Sequence, residues 1–423
     1  MEITFSKEQK RFVDDVLAGS NVLATGPAGS GKSTVLNFLR GQLRSRLSVC
    51  ASTGVAALNV HGTTIHSFAG LGLGEESAEA IAERILSNQR SRPYRNITRC
   101  AVLAIDEISM LSGELFEKIE YVFRKVRENE TPFGGVQLVL FGDFLQLPPI
   151  SRGPEPATFA FESAAWTRAG IVTWIFTRVF RQADQPFADA LGRLRVGDIH
   201  HPSIALIAAR NNLPVPADGI RPVVIHTHNI DVDRLNLAEL EKLPGPDYSF
   251  AAKETGSPEG KERLERDCLA PATLCLKTNA QVMLLTNLSP EEGLVNGSLG
   301  IVTSIDDEEI HVRFGKGKSV KMTPHAWTIK NNDQVVAERS QFPLRLAYAL
   351  SCHKTQGMTL DRIECHLGKT FEYGQAYVAV SRVKTLEGLF LRRSTRQSFR
   401  AHPKAVAFYE EAAVANAAWD LKG

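Results

Sequence analysis

Eight consecutive residues, Gly26-Pro27-Ala28-Gly29-Ser30-Gly31-Lys32-Ser33, have the spacing that holds a polyphosphate. Glycines let backbone N–H groups turn inward on phosphate oxygens, a lysine reaches the β and γ phosphates, and a serine hydroxyl ligates Mg²⁺. The candidate nucleotide contacts run from Gly26 through Pro27, Ala28, Gly29, Ser30, Gly31, Lys32 and Ser33 to Thr34, and Ser33 is also a candidate metal ligand. Two acids, Asp106 and Glu107, close the apolar run Ala101-Val102-Leu103-Ala104-Ile105. Asp106 suits a water-mediated hold on Mg²⁺, and Glu107 suits proton acceptance from an attacking water. Gln146 follows a third apolar run, Val136 to Phe141, where its amide can touch the γ-phosphate or the attacking water and report nucleotide state. ATP and Mg²⁺ are the expected cofactors.

These side chains need strand ends to carry them. Val22-Leu23-Ala24 reads as a buried strand and Thr34 to Arg40 as a helix, so the glycine loop has the strand–loop–helix setting that the chemistry requires. Upstream, Ser6 to Leu17 reads as a helix with Ser6 and Gln9 as a capping box. Gln9 therefore has two readings: a capping partner, or a carboxamide that offers adenine both a donor and an acceptor. Val49 to Thr53 reads as another strand and empties into His61-Gly62-Thr63-Thr64-Ile65-His66-Ser67-Phe68, where Thr63, Thr64 and His66 are candidate contacts for a nucleic-acid backbone. A polar segment from Gly70 to Arg99, helical over Ser77 to Leu86, is either a small insertion that touches nucleic acid or a solvated basic loop. Ser112 to Arg127 has the apolar periodicity of a helix.

The chain has 423 residues, the length of about three domains. Its 49 basic and 47 acidic residues leave a net charge of +2, so any nucleic-acid contact must be local, along a groove. Six cysteines at 50, 100, 268, 275, 352 and 365 form no CxxC pair, which points to reduced thiols and an intracellular protein. The first residues do not resemble a secretory or transit peptide, and no apolar run approaches membrane-spanning length, so no membrane partner is expected.

The second half repeats the strand-then-polar grain. Val223 to Ile225 leads through His226 to Thr227, His228 and Asn229, and Leu344 to Ser351 leads to His353, Lys354, Thr355, Gln356 and Gly357. The first three, with His353 and Lys354, are candidate DNA-phosphate contacts, and Gly357 a candidate nucleotide contact. Lys242 to Asp267 reads as an exposed connector, and Pro403 to Leu421 as a packing helix. Between Leu274 and Phe342 short strands at Gln281 to Leu285, Gly300 to Ile305, Ile310 to Phe314 and Ser319 to Met322 predict an inserted β-barrel, with or without a DNA role.

Four blocks, ASTGVAALNVHGTTIHSFAG, LAIDEISMLSGELFEKIEYVFRKVRENETPFGGVQLVLFGDFLQLPPI, RLAYALSCHKTQGMTLD and GQAYVAVSRV, resemble the Pif-type (petite integration frequency) DNA helicases of superfamily one. The resemblance spans about Phe5 to Tyr409. It implies an α/β fold of two RecA-like (P-loop NTPase) parallel-sheet domains with a small inserted SH3-like β-barrel. The expected boundaries are 1–175 for the first domain, with an insertion at about 70–99, then 176–273 and 343–423 for the second, and 274–342 for the barrel. It also implies that Arg181, in Thr177-Arg178-Val179-Phe180-Arg181-Gln182, reaches across to the γ-phosphoryl group. Arg382, at the end of a helix from Gln375, would be a second arginine finger. The implied activity is ATP-dependent 5′ to 3′ movement on single-stranded DNA with unwinding of forked or structured DNA, in replication, repair, recombination or telomere maintenance. The alternative is a DNA-dependent translocase or RecD-like recombination subunit that unwinds poorly alone. A monomer that can assemble on DNA is expected, with other replication or repair proteins as candidate partners. Its place would be the cytoplasm in a bacterium, or the nucleus or mitochondrion in a eukaryote.

Overall fold

Six short strands, the three central ones apolar and buried on both faces, build the sheet that carries the glycine loop. They are β1 (Val22–Thr25), β2 (Leu47–Ala51), β3 (Thr63–Thr64), β4 (Val102–Asp106), β5 (Gln137–Phe141) and β6 (Val172–Ile175), in the order β3-β2-β4-β5-β1-β6. All pairs are parallel, as continuous apolar runs between helices require. Ala24 pairs with Phe141, Leu140 with Ile105, and Asp106 with Ala51, so four strands end together and present their polar loops along one edge.

The computed structural model describes residues 4–420 except 73, 152–155, 183, 217, 227–231, 307–308, 316, 318, 332–333, 353–354, 356 and 368–371. Two units divide the chain: Met1–Phe180 with His402–Gly423, and Arg181–Ala401. Among the described residues no helix is long and apolar enough to cross a membrane. All six cysteines are free thiols.

In the first unit, α1 (Lys7–Leu17) starts on the capping box predicted from Ser6 and Gln9 and buries Phe12, Val13 and Val16. The ring of Phe12 meets Phe141 and Phe176 edge-on at 5.5 and 5.7 Å. Next, α2 (Lys32–Leu43) follows the glycine loop, while α3 (Gly54–Asn59) and α4 (Ile65–Ala69) follow β2 and β3. The polar insertion is a packed feature rather than a loop. Its helices α5 (Ala78–Leu86) and α6 (Arg92–Arg99) lie on α7 (Gly113–Val126), and Arg127 donates to the carbonyls of Ile97, Thr98 and Cys100 at 2.7 to 3.1 Å.

Two expected boundaries shift in this unit. The sheet takes in Val172–Ile175, and the chain stays on the unit to Phe180, whose N–H donates to Gly29 O at 2.8 Å. The C-terminal helix Pro403–Asp420, expected with the second domain, belongs to the first unit. Phe408 stacks on Phe161 with centroids 4.4 Å apart and meets Phe144 edge-on at 5.5 Å. Asn416 accepts from Ile175 N and donates to Thr173 O, which supplies edge strand β6 with the hydrogen bonds a seventh strand would have made.

The second unit holds β7 (Val223–His226), β8 (Tyr248–Ala251), β9 (Lys253–Gly256), β10 (Thr273–Leu276), β11 (Gln281–Leu284), β12 (Leu299–Ile305), β13 (Ile310–Phe314), β14 (Ser319–Met322), β15 (His325–Asn331), β16 (Gln334–Gln341), β17 (Leu344–Leu346), β18 (Ala349–Ser351), β19 (Ile363–His366) and β20 (Leu389–Arg392). A second parallel sheet has the order β18-β7-β19-β20. The inserted β region is the antiparallel sheet β14-β13-β12-β11-β17 over a core that includes Val282, Val302, Val312 and Leu344. Its first four strands match those read from the sequence, but Leu344–Leu346 pairs with β11, so the parallel sheet resumes only at Ala349. The stretch expected to be an exposed connector also forms structure: β8 pairs with β10, and β9 joins the hairpin β15–β16. The cause is Arg339 on β16, which is buried and paired with Glu254 on β9 and with Glu265.

Candidate nucleotide site

The end of β1 turns straight into the glycine loop. Gly26 has φ +142°, and a Cβ there would lie 2.3 Å from Phe176 O; Gly31 has φ +84°, and its Cβ would lie 2.8 Å from the Gln9 amide. Only glycine fits either place. No side chain caps Gly31 at the start of α2, which leaves that first turn open to an anion. Lys32 Nζ donates to Gly26 O at 2.8 Å and Pro27 O at 3.1 Å, so its ammonium already lies over the loop. Ser33 and Thr34 are exposed beside it. This donor set fits a polyphosphate.

Gln9 completes the capping box and also reaches the glycine loop. Its Oε1 accepts from Ser6 N and its Nε2 donates to Ser30 O at 3.0 Å, which ties α1 to the glycine loop with the side chain 3% exposed. One amide hydrogen and one lone pair remain by valence for a purine edge. Against the same loop lies Phe180, an aromatic that the sequence reading passed over. Its ring approaches Gly31, is 49% exposed, and has the Arg178 guanidinium 4.9 Å above its centroid.

Asp106 ends β4, and its Oδ1 accepts from Glu107 N at 2.9 Å. Burial, and then the neighbouring Glu107 charge, raise its pKa to about 7, which Lys32 and the backbone hydrogen bond only partly offset. Glu107 sits in left-handed backbone, φ +53° and ψ +44°, which costs a non-glycine residue about 1 kcal/mol or more. Ser52, just past β2, holds that conformation: its Oγ donates to Glu107 O at 2.8 Å, and its N–H donates to Asp106 O at 3.2 Å. At the end of β5, Gln146 is buried and its Nε2 donates to Asp143 Oδ2 at 3.3 Å.

Beside these strand ends is a cavity of about 680 Å³ lined by Ser52, Thr53, His66, Ser112, Lys118 and Thr158 among others. His66 thus lines the cavity, whereas Thr63 is buried on β3 and Thr64 caps α4 by accepting from Ser67 N. Lys118 pairs with Glu114 at 2.8 Å, and apolar residues, hydroxyls and Glu75 make up most of the remaining lining, not a basic cluster.

In the second unit Arg181 Nη1 donates to Ser381 O at 3.3 Å, and Arg382, 2% exposed, donates from Nε to Val378 O. The two arginines therefore meet at one turn, although 200 residues separate them in the chain. Gly357 is exposed with φ +80°. Thr227, His228, Asn229, His353, Lys354 and Gln356 lie outside the described residues.

The chain is similar to known proteins along most of its length. The PIF1-like helicase family model matches residues 4–203, and the DNA helicase Pif1 2B domain model matches residues 259–305, which reach into the inserted β region. The ATP-dependent DNA helicase PIF1 of Homo sapiens is 41% identical over 408 residues, which cover 96% of this chain and 63% of that protein. The chain thus spans less than two thirds of that relative. The crystal structure of Bacteroides sp Pif1 in complex with ADP-AlF4 is 30% identical, with a TM-score of 0.83 over 97% of both chains. That of Bacteroides Pif1 bound to ssDNA is also 30% identical, with a TM-score of 0.63 over 98% of both.

Proposed function

Because the chain belongs to the PIF1-like helicase family, we propose that it is an ATP-dependent DNA helicase that moves 5′ to 3′ along single-stranded DNA and separates duplexes ahead of it. The observation that carries this reading is Ser52: it lines the cavity beside the β2 and β4 ends and also fixes the backbone of Glu107. A strand laid in that cavity touches the residue that sets the candidate base, which gives nucleic acid a direct route to the rate of hydrolysis.

On this reading Lys32 leaves the Gly26 and Pro27 carbonyls for the β and γ phosphates, and the open first turn of α2 receives phosphate oxygens. Ser33 and Asp106 would hold Mg²⁺, which supplies charge neutralisation at the transferred group. Glu107 accepts the proton of the attacking water, and Gln146 senses the γ-phosphate. Gln9 and Phe180 hold the adenine, one by its edge and one by its face. Arg181 and Arg382 supply the positive charge that phosphoryl transfer needs, a role their shared turn and permanent ionisation support. Phosphate tracking is assigned to His66 in the first unit and to Thr227, His228, Asn229, His353 and Lys354 in the second, with Thr63 and Thr64 shaping the loop.

The test is ATP hydrolysis with and without single-stranded DNA, alongside unwinding of forks tailed on one strand only. Hydrolysis should rise at least tenfold with DNA, 5′-tailed forks should open and 3′-tailed ones should not, and Glu107→Gln should be inactive in both assays. Stimulated hydrolysis with no unwinding would select the translocase reading, and unstimulated hydrolysis would end the motor reading.

A further inference from the structure

The C-terminal helix does more than cover an aromatic face. Tyr409 projects from it into the first unit, with the residue 6% exposed, and its hydroxyl reaches two of the strand ends that frame the nucleotide site. The hydroxyl is 3.1 Å from Asp143 Oδ1, accepts from Phe144 N at 3.0 Å, and lies against Thr25 Oγ1. Valence sets the directions. A tyrosine hydroxyl has one proton and the Asp143 carboxylate can only accept, so Tyr409 donates to Asp143 and Thr25 donates to Tyr409. Asp143, fully buried, is held at Oδ1 by Tyr409 and Leu145 N, and its Oδ2 accepts from Gln146 Nε2. Thr25 is the last residue before Gly26.

We propose that Tyr409 is a positioning residue for nucleotide hydrolysis: through Asp143 it sets the amide of Gln146, and through Thr25 it ties that amide to the entry of the glycine loop. This deepens the reading of Gln146 as the γ-phosphate sensor and rests on it. Packing alone would be met by phenylalanine, since the ring contact is with Phe408, itself packed on Phe144. A hydroxyl that satisfies a buried aspartate, an amide N–H and a threonine at once fixes a geometry instead.

Tyr409→Phe keeps the ring and removes the relay, while Asn416→Ala loosens the same helix at β6 without touching it. In the full chain, Tyr409→Phe should lower kcat for DNA-stimulated hydrolysis about tenfold, with KM for ATP and Kd for a fluorescent ADP each within twofold. Without nucleotide, hydrogen exchange at Phe144 to Gln146 should quicken at least tenfold in Tyr409→Phe and stay unchanged in Asn416→Ala. Gln146→Ala should be slow, and adding Tyr409→Phe to it should slow it no further. A wild-type kcat in Tyr409→Phe, an equal loss in Asn416→Ala, or losses that multiply in the double variant would each overturn the relay alone. Gln146→Ala at wild-type kcat would overturn the sensor reading and the relay with it.

Discussion

Asp106 is the residue whose chemistry depends most on its surroundings. In the folded chain its carboxyl titrates near 7 because burial and Glu107 disfavour the charge, whereas an unfolded aspartate titrates near 3.9. A group that binds its proton more tightly when folded stabilises the fold fully only at low pH, and that contribution is lost as pH rises through about 7. Asp106→Asn keeps the acceptor for Glu107 N and abolishes the charge. It should therefore raise stability without nucleotide, and by about 2 kcal/mol more at pH 8 than at pH 5, read from urea unfolding at both pH values. A gain equal at the two pH values would mean that Asp106 is not held protonated. At this scale the sequence was most legible where the chemistry is contiguous. Gly26 to Ser33 and Asp106-Glu107 carry their roles in their order, but the bond between Asp143 and Tyr409 joins positions 266 residues apart, and nothing in either neighbourhood announces it.

Among the elements, strands flanked by turn residues were readable and their partners were not. β11 to β14 fall on the four short runs that the sequence marks as strands between Gln281 and Met322. The three residues of β17 are too short to carry a period, and only pairing with β11 assigns them. Glu254 and Glu265 made the region before β10 look solvated, because a charge reads as exposed until its counterion is found. Arg339 is that counterion, and it also donates to Ala270 O at 2.8 Å. Arg339→Met fills a similar volume but takes the donor from half-buried Glu254 and from the Ala270 carbonyl, while Glu265 is exposed enough to be solvated. It should cost about 2 kcal/mol, less than the loss for a fully buried ion pair, and should lower the melting of the second unit by roughly 6 °C. An unchanged melting temperature would show that the connector region is not held through this residue.

For the molecule as a whole, the first unit is built from both ends of the chain. A protein ending at Ala401 leaves Phe144, Phe161 and Trp166 without the aromatic surface of Phe408, and Phe159 without His402, and opens the edge of β6. We expect such a truncation to lower the melting of the first unit by roughly 10 °C and to bind a hydrophobic dye, with the second unit unaffected. Retention of the full transition would mean that the helix is an accessory. The balance of 49 basic against 47 acidic residues recurs locally in the cavity, where Lys118 is paired with Glu114 and the lining mixes apolar and hydroxyl residues. Amino-acid order alone determined the phosphate chemistry and the strand–loop–helix around it, because a glycine loop, its lysine and its capping residues act on near neighbours. Tertiary structure decided which sheet the last helix completes and which hydroxyl bonds to Asp143 beside Gln146. An amphipathic face specifies only that something apolar must cover it, and a polar side chain only that it needs a partner, so the identity of each is settled by the packing of the whole chain.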